Sequence, residues 1–401
     1  GLGFMRRRRF ETKELCEKIG SRVELDNHTC RIETPEIKNS LVPELSRRNR
    51  VPVLALGPLL HRRGVAEIPV LGGCPIGHRP INFHVEALSE MGVEIERRDN
   101  SYYAQTSELH GADIDLPYPS VGTTENIILT AVTAKGKTRI RNAAVEPEIL
   151  NMIDMLLGMG AKISMSAAER KIEIEGVRRL GGIKIKVIPD RNEIVSFAAA
   201  ALATRGRVKI KNTHPELKFS HLPDTPYLKN FLEKVREVGG VFEIKDDGLE
   251  FTGQKEYQAT KIETSPHPGF MTDWQQPFCL LLTQAKGKSI IHETVYEDRL
   301  GYAKDLVRMG AKIKISSDCP EDTPCRYQGK YFNHTAVIEG STELRGENIT
   351  MTDIRAGMAH IIAALVAKGQ SKIYGIEHVD RGYEKIEDRL KELGANIERK
   401  K

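Results

Sequence analysis

The stretch MGAKIKI at residues 309–315 contains the unit from which this chain is built: an apolar residue and a glycine close an amphipathic helix, and an alternating strand follows. Glycine suits the position after a helix because it adopts the left-handed backbone that turns the chain toward a strand. The signature occurs six times, with its glycine at Gly20, Gly92, Gly160, Gly239, Gly310 and Gly394. The chain is therefore a tandem repeat with a period of roughly 70–80 residues.

A second signature lies between these copies: a helical segment with almost no polar residues, a short basic turn with glycine, and then a strand. Such segments start at Asn126, Ile194, Pro277 and Ala359, with a looser copy from Val51. A helix that is apolar on all sides is predicted to be buried, whereas helices with one polar face, such as EKIEDRLKELG at 384–394, should lie outside. Each unit thus predicts an inner helix, a strand, an outer helix and a strand hairpin.

The count of these elements predicts the domain organisation. Six outer-helix halves face only five inner-helix halves, so we expect the first unit to be incomplete at its N-terminal side, lacking roughly 40 residues. Six units suggest two domains of three, at residues 1–188 and 189–401. The fold class is α/β (α+β), and the cleft between two similar domains is a preferred place for a ligand site.

The composition excludes several classes of protein. Sixty basic and 55 acidic residues leave a net charge of +5, which is too mild to indicate nucleic-acid binding but is compatible with an anionic small molecule. The four arginines at 6–9 are better explained as a solvated helix end than as a nucleic-acid arm. No apolar run approaches the ~18 residues of a membrane span. Six cysteines, mostly isolated, indicate reduced thiols in a cytoplasmic protein.

Polar loops precede the predicted inner helices, which is unusual for such apolar elements. They include Arg50 and the segments SVGTTEN (120–126), PDRNE (189–193), HPGFMTDWQQ (267–276) and MTDIR (351–355). Helix N-termini offer free N–H groups to anions. Ordinary helix capping is the alternative, and we favour it for Thr123 or Thr272 taken alone. The recurrence of Asp with Arg favours a site.

The segment 71–92, LGGCPIGHRPINFHVEALSEMG, contains the most informative loop. Glycines precede Cys74, and a loop rich in Gly and Pro is predicted to be exposed and to act as a lid. His78 and Arg79 follow the cysteine, and cationic neighbours favour the reactive thiolate. A small apolar residue in a turn is the alternative.

The segment GGCPIGHRPINFH, at 72–84, resembles the catalytic lid of the UDP-N-acetylglucosamine enolpyruvyl transferases, within the EPSP synthase/enolpyruvyl transferase superfamily. The resemblance covers essentially the whole chain. It implies a two-domain inside-out α/β barrel, each domain having three βαβαββ-type units with buried inner helices. Further matching segments occur in the family's order: LALGPLL from Leu54, PSVGTTENI from Pro119, NAAVEPEI from Asn142, VIPDRNE from Val187, PHPGFMTDWQ from Pro266, ETVYEDR from Glu293, TDIRA from Thr352 and HVDRGYEKIEDRLKELGANIER from His378.

The resemblance implies the first committed step of peptidoglycan synthesis. The 3-hydroxyl of UDP-N-acetylglucosamine would add to phosphoenolpyruvate, and phosphate would then be eliminated. The resemblance implies a reaction that needs neither a metal nor an organic cofactor. The composition predicts no nucleic-acid or membrane partner, and the sequence leaves the oligomeric state open, with a monomer favoured.

The same resemblance implies roles for individual residues. Cys74 would be the proton donor and the site of a covalent phosphoenolpyruvate adduct, Asp273 the base for the sugar hydroxyl, and Arg381 a further catalytic residue. Arg50, Arg79 and Arg381 would surround the phosphate and carboxylate groups, as suits the forked guanidinium group. The remaining expected substrate contacts are Pro80, Ile81, Asn82, Phe83, Tyr118, Pro119, Ser120, Val121, Val295, Asp353 and Arg355.

The chain departs from the family pattern at several positions. The family's N-terminal Lys-Asn pair would fall in the half-unit that we expect to be missing, and Lys38-Asn39 lies elsewhere in the repeat. His78, Asn82 and Tyr118 replace the usual residues. A non-catalytic paralogue that binds a nucleotide sugar, or a shikimate-pathway enolpyruvyl transferase, is therefore kept as an alternative.

The segment 316–335, SSDCPEDTPCRYQGKYFNHT, is longer than the usual hairpin. Its two cysteines, Cys319 and Cys325, could bind metal or pair with each other. Two cysteines alone are weak evidence, so a decorated surface hairpin without metal is the favoured interpretation.

Overall fold

The computed structural model describes residues 6–26, 28–45, 50–72, 81–297, 299–320, 323 and 325–400. Within them the α-helices are α1 (Arg6–Ile19), α2 (Leu56–Arg63), α3 (Asn82–Glu90), α4 (Val121–Ala131), α5 (Pro147–Gly158), α6 (Arg191–Ala203), α7 (Lys229–Glu237), α8 (Gln275–Thr283), α9 (Ala303–Arg308), α10 (Ile354–Val366), α11 (Glu377–Asp380) and α12 (Ile386–Glu392).

The strands of the same residues form seven sheets. They are β1 (Arg22–Asp26), β2 (Thr29–Glu33), β3 (Val65–Pro69), β4 (Glu94–Arg97), β5 (Ser101–Gln105), β6 (Asp113–Asp115), β7 (Lys137–Arg141), β8 (Lys162–Ser166), β9 (Lys171–Glu175), β10 (Arg207–Lys211), β11 (Glu216–Leu217), β12 (Thr225–Pro226), β13 (Val241–Lys245), β14 (Gly248–Thr252), β15 (Tyr257–Gln258), β16 (Lys261–Glu263), β17 (Ala285–His292), β18 (Lys312–Ser316), β19 (Thr335–Gly340), β20 (Asn348–Thr350) and β21 (Lys372–Tyr374).

The predicted order of elements is confirmed. The units β6-α4-β7-α5-β8-β9 and β16-α8-β17-α9-β18-β19 have the full βαβαββ pattern, and in each the first strand pairs in parallel with the strand after the inner helix. The six signature glycines all have positive φ, between 81° (Gly239) and 111° (Gly20). A strand follows five of them. The strand predicted after Gly394 is wrong: residues 395–400 have no strand partner among the described residues, and a strand is stable only where a neighbour completes its ladder of hydrogen bonds.

The inner helices form the cores. Every residue of α8 is buried, and so is every residue of α6 except Asn192. In the second half α6, α8 and α10 pack against one another, and in the first half α2 packs against α4. The sheets lie outside these helices and stay separate within the described residues, so "inside-out barrel" describes the arrangement of layers rather than one closed sheet. No helix in the described part of the chain is long and apolar enough to cross a membrane.

The apolar core is divided into two large clusters of buried residues, one between Ile37 and Ile174 and the other between Ile194 and Leu390. Polar contacts join the two halves. Arg191, at the start of α6, forms a two-pronged ion pair with Glu148 on α5, at 3.0 and 2.7 Å. The backbone N–H of His267 donates to Glu146 (3.3 Å).

Candidate active site

Three inner helices, α4, α6 and α10, begin at polar side chains that cap their first turns. Ser120 Oγ accepts from the backbone N–H of Thr123 at 3.3 Å, and Asp190 Oδ1 accepts from that of Asn192 at 2.8 Å. Asp353 Oδ1 accepts from the N–H groups of Arg355 (2.7 Å) and Ala356 (3.0 Å). Ser120 and Asp353 therefore have a capping role whatever else they contact.

Asp273 is the centre of a charged cluster. It lies in the 3₁₀ turn Thr272–Trp274 that leads into α8. Arg299 Nη2 donates to Asp273 Oδ1 at 2.5 Å, and Arg355 Nε, from the first turn of α10, donates to Oδ2 at 3.1 Å. The two arginine side chains are almost fully buried, whereas that of Asp273 is 26% exposed. The two arginines thus hold the carboxylate on the side that faces the protein, and its other side is open to solvent.

A second layer of hydrogen bonds fixes the arginines. Arg355 Nη1 donates to the hydroxyl oxygen of Tyr383 (3.0 Å), which lies 2.8 Å from Ser196 Oγ on α6. Burial lowers the pKa of Arg355, but the Tyr383 hydroxyl and the carboxylates of Asp273 and Asp190 outweigh it and leave this pKa above its ordinary value. The guanidinium group therefore stays charged. Side chains from α6, from α10 and from the turn before α8 meet here, so the starts of α8 and α10 lie together beside α6.

Glu293 shapes the loop that contains Val295. Its buried carboxylate accepts from Thr272 Oγ1 (2.8 Å) and from the backbone N–H groups of Val295 (2.8 Å) and Tyr296 (3.0 Å). Burial raises the pKa of Glu293, opposed by these hydrogen bonds and by the charge of Arg299. The loop after β17 is thereby fixed beside the turn of Asp273.

Val295 and Tyr118, both predicted nucleotide-sugar contacts, are connected by one side chain. Arg326 donates through Nη2 to the carbonyl oxygen of Val295 and places its guanidinium carbon 5.1 Å from the centre of the Tyr118 ring. The hydroxyl of Tyr327 donates to the same carbonyl oxygen at 2.9 Å. Burial raises the pKa of Tyr118 well above its ordinary range, so its hydroxyl stays protonated. The structure therefore brings a first-half residue and a second-half loop to one place.

The predicted contacts near the lid also converge. Asn82 and Phe83 begin α3, and Ile81 precedes them. His84 of the same turn lies 3.2 Å (Nδ1) from Asn126 Nδ2 on α4. The start of α3 therefore lies beside α4, the helix that Val121 begins and that Pro119 and Ser120 precede. Asn82 itself is exposed and donates to Glu86 at 3.3 Å.

The structure describes two of the three predicted anion-binding arginines, Arg50 and Arg381. Burial together with the positive charge of Arg50 lowers the pKa of His84 to about 4, which puts Arg50 beside α3. Arg381 is half-buried and stands two residues before Tyr383, the partner of Arg355. Cys74, Arg79 and Pro80 lie outside the described residues, and so does His78.

Sequence reasoning did not assign roles to Glu293, Arg299, Ser196 or Tyr383. Two of them, Glu293 and Arg299, stand in the segment ETVYEDR that was singled out for its resemblance. That segment directly follows a predicted strand, and charged side chains near a buried strand end need partners. Their charge was therefore the one sequence feature that could have indicated a role. Nothing in the sequence pairs Arg299 with Asp273, since the two follow different elements of the unit.

Three acidic residues, Glu125, Glu146 and Glu148, lie near one another where the two halves meet. Burial, with the nearby charges of Glu148 and Glu146, raises the pKa of Glu125 on α4 to about 7. Burial also raises the pKa of Glu146, although the charge of Arg191 and a hydrogen bond from the His267 backbone oppose the shift. Glu125 is therefore protonated in part near neutral pH.

The fold has two halves of buried inner helices with outer sheets, and the comparison with known families identifies it. Residues 10–390 match the family model described as EPSP synthase (3-phosphoshikimate 1-carboxyvinyltransferase). The chain belongs to this family of enolpyruvyl transferases.

The similar curated proteins are named UDP-N-acetylglucosamine 1-carboxyvinyltransferase. That of Protochlamydia amoebophila (strain UWE25) is 44% identical over 396 residues, which cover 96% of this chain and 83% of the relative. That of Chlamydia pneumoniae is 43% identical over 395 residues, covering 96% and 84%. A relative of the same name from Desulfatibacillum aliphaticivorans is 37% identical over 388 residues, covering 96% and 87%.

Solved structures give the same fold at lower identity. The enolpyruvyl transferase NikO from Streptomyces tendae superposes with a TM-score of 0.82 at 20% identity, covering 97% of this chain and 87% of that one. An EPSP synthase from Acinetobacter baumannii gives a TM-score of 0.69 at 18% identity, covering 98% and 89%. These likenesses confirm the predicted two-domain inside-out architecture.

Proposed function

We propose that this chain transfers the enolpyruvyl group of phosphoenolpyruvate to the 3-hydroxyl of UDP-N-acetylglucosamine and releases phosphate. The observation that carries this proposal is the identity of 37–44% to relatives of that name over 96% of the chain. In peptidoglycan synthesis this is the first committed step. The supporting geometry is a partly exposed carboxylate held by two buried arginines at the end of three inner helices.

The reaction is an addition followed by an elimination. The sugar oxygen bonds to the carbon that bears the phosphate, and the methylene carbon takes a proton. Loss of a proton from that carbon and of phosphate from its neighbour then restores the double bond. Both steps need acids, bases and cations in place, so positioning and electrostatic stabilisation supply the catalysis without a metal or organic cofactor.

Asp273 is the proposed base for the sugar hydroxyl. A general base must come within hydrogen-bond reach of the proton that it takes. Arg299 and Arg355 fix the carboxylate in one orientation, and its exposed part leaves room for the hydroxyl.

The remaining roles rest on the resemblance of the segments. Cys74 is the proposed proton donor to the methylene carbon. Arg50, Arg79 and Arg381 are the proposed partners of the phosphate and carboxylate groups, because a guanidinium group pairs two oxygens at once and keeps its charge.

The nucleotide sugar is proposed to contact both halves of the chain. Residues 80–83 and 118–121 would bind it from the first half, and Val295, Asp353 and Arg355 from the second. The link through Arg326 between Tyr118 and the Val295 loop supports this arrangement. We further propose two domains divided at residue 188, supported by the two core clusters, and a cytoplasmic monomer.

Isothermal titration with UDP-N-acetylglucosamine, paired with a phosphate-release assay, tests this function. We expect binding, and phosphate release from phosphoenolpyruvate only when that sugar is present. Binding without release indicates a non-catalytic paralogue. Release that depends on 3-phosphoshikimate instead would assign the chain to the shikimate-pathway reaction.

A further inference from the structure

Two thiols and two imidazoles converge at the end of the sheet that contains β17, β18 and β19. They belong to His292, Cys319, Cys325 and His334, and one ligand atom from each lies within 4.8 Å of all the others. Cys319 Sγ is 3.5 Å from Cys325 Sγ and 3.4 Å from His334 Nε2. The group lies outside the charged cluster of Asp273.

The strand register explains why residues so far apart in sequence meet. His292 ends β17 and is paired with Thr335, the first residue of β19. Ser316 ends β18 and is paired with the same Thr335. The residue before Thr335 is His334, and Cys319 follows Ser316 by three positions. The adjacent ends of β17, β18 and β19 therefore bring both histidines and Cys319 close together.

Each imidazole is oriented through its other nitrogen. His334 Nδ1 lies 2.7 Å from the carbonyl oxygen of Phe332, and His292 Nδ1 lies 3.2 Å from Glu263 Oε2. These contacts favour a proton on Nδ1, so the lone pair is on Nε2, as in histidines that ligate metals. Both rings are fully buried, and among the described residues His292 Nε2 has no hydrogen-bond partner.

We propose that these four residues bind a structural zinc ion. Two thiolates and two imidazoles are a preferred tetrahedral zinc donor set, and a Zn–S bond of about 2.3 Å places the two sulfurs about 3.8 Å apart. The observed sulfur–sulfur distance of 3.5 Å is close to that value. A disulfide needs about 2.05 Å, and both cysteines are free thiols. Two thiolates also balance the charge of Zn²⁺, which suits a buried site.

The proposed zinc site would attach the long connection between β18 and β19 to the end of the sheet. Residues 317–334 join β18 to β19, and the metal would hold this connection at both cysteines and at His334. The backbone N–H of Tyr327 donates to Cys325 Sγ at 3.3 Å. Tyr327 and its neighbour Arg326 both donate to the carbonyl oxygen of Val295, so the zinc would position a wall of the candidate active site.

Metal content tests the proposal without reference to activity. The chain is expressed with zinc added to the medium, purified without chelator, and analysed by multi-element mass spectrometry. We expect about one zinc per chain, as a single four-ligand site requires. The double variant Cys319→Ser, Cys325→Ser should lose it. Cys30→Ser, which changes an exposed free thiol away from the group, is the control and should keep it.

Two further measurements test the proposal even if the double variant does not fold. Glu263→Gln keeps all four ligands and should weaken zinc binding by roughly 10-fold, because it alters the orienting partner of His292. Cobalt added to the metal-free unaltered chain should give the visible absorption of a tetrahedral thiolate complex.

Any of three results would overturn the proposal. These are a purified chain with less than a tenth of an equivalent of zinc, zinc content unchanged in the double variant, or Cys319 and Cys325 recovered as a disulfide. Stoichiometric binding of another metal in place of zinc would overturn the assignment to zinc.

Discussion

Replacing Asp273 by asparagine tests the charged cluster most sharply. The change removes the negative charge that Arg299 and Arg355 share, yet it keeps the size of the side chain and one oxygen acceptor. An amide cannot take a proton from the sugar hydroxyl. Loss of a general base typically lowers turnover by about 10²–10⁴-fold, so Asp273→Asn should lower kcat by that factor while UDP-sugar affinity changes little.

The cost in stability can be estimated from the contacts. A hydrogen bond to a charged group is worth roughly 1.5–3 kcal/mol. Arg355 keeps Tyr383, the charges of Glu293 and Asp353 still act on Arg299, and the amide oxygen still accepts, so we expect a net loss of about 1–3 kcal/mol. That loss corresponds to a melting temperature lower by about 2–4 °C per kcal/mol for a domain of this size.

Asp305→Asn is a matched control, because Asp305 has a similar exposure, 23%, and also pairs with two partners. Its Oδ1 accepts from Arg308 Nη1 at 3.0 Å, and its Oδ2 lies 3.2 Å from His360 Nε2. This variant should lose comparable stability but keep its turnover. The two are compared by phosphate release at saturating substrates and by thermal unfolding. Near-normal turnover of Asp273→Asn would refute the catalytic assignment and leave Asp273 as a structural partner of two arginines.

Three other outcomes are expected. An epoxide phosphonate that mimics phosphoenolpyruvate should alkylate Cys74, and the reaction should be faster with UDP-N-acetylglucosamine present. Cys279, whose pKa burial raises to about 12, should stay unlabelled. Peptide mass mapping that finds the label on another residue would contradict this. The pKa of Glu125 is about 7 in the folded chain and 4.5 in the unfolded chain, so the folded chain keeps a proton that the unfolded chain releases. The contribution of Glu125 to stability is therefore full below pH 4.5 and should fall by on the order of 3 kcal/mol as pH rises through 7. Glu125→Gln should remove that part of the slope in thermal unfolding from pH 5 to pH 8, and an unchanged slope would show that the group titrates normally. Arg326→Met should weaken UDP-sugar binding by roughly 10-fold in isothermal titration, since it removes one of the two donors to the Val295 carbonyl and the contact with the Tyr118 ring; unchanged affinity would exclude a positioning role.

The fold was largely predictable because its information is local. Each signature glycine follows an amphipathic helix and must adopt a positive φ before the chain can continue, and the structure has this geometry at Gly310 and at its five counterparts. The uniformly apolar segments could only be buried, as α6 and α8 are. The strand after Gly394 failed because a strand depends on a partner from elsewhere in the chain, which a local pattern does not contain.

The candidate site was predictable in its residue types but not in its pairings. The sequence marks Asp273 and Arg355 as polar residues at the start of apolar helices. Their ion pair forms only because α8 and α10 pack against each other with their N-termini side by side. The thiols of Cys319 and Cys325 acquire two histidines in the same way, through the register of β17, β18 and β19. Contacts of this kind are set by tertiary structure.

Identification of the reaction product is the most direct test of enolpyruvyl transfer by this chain. The chain is incubated with phosphoenolpyruvate and UDP-N-acetylglucosamine, and the nucleotide fraction is analysed by mass spectrometry and by carbon NMR. We expect a UDP-sugar that has gained one carboxyvinyl group at its 3-oxygen, with one phosphate released for each product molecule. Unmodified UDP-N-acetylglucosamine after prolonged incubation, from protein that binds both substrates, would contradict it.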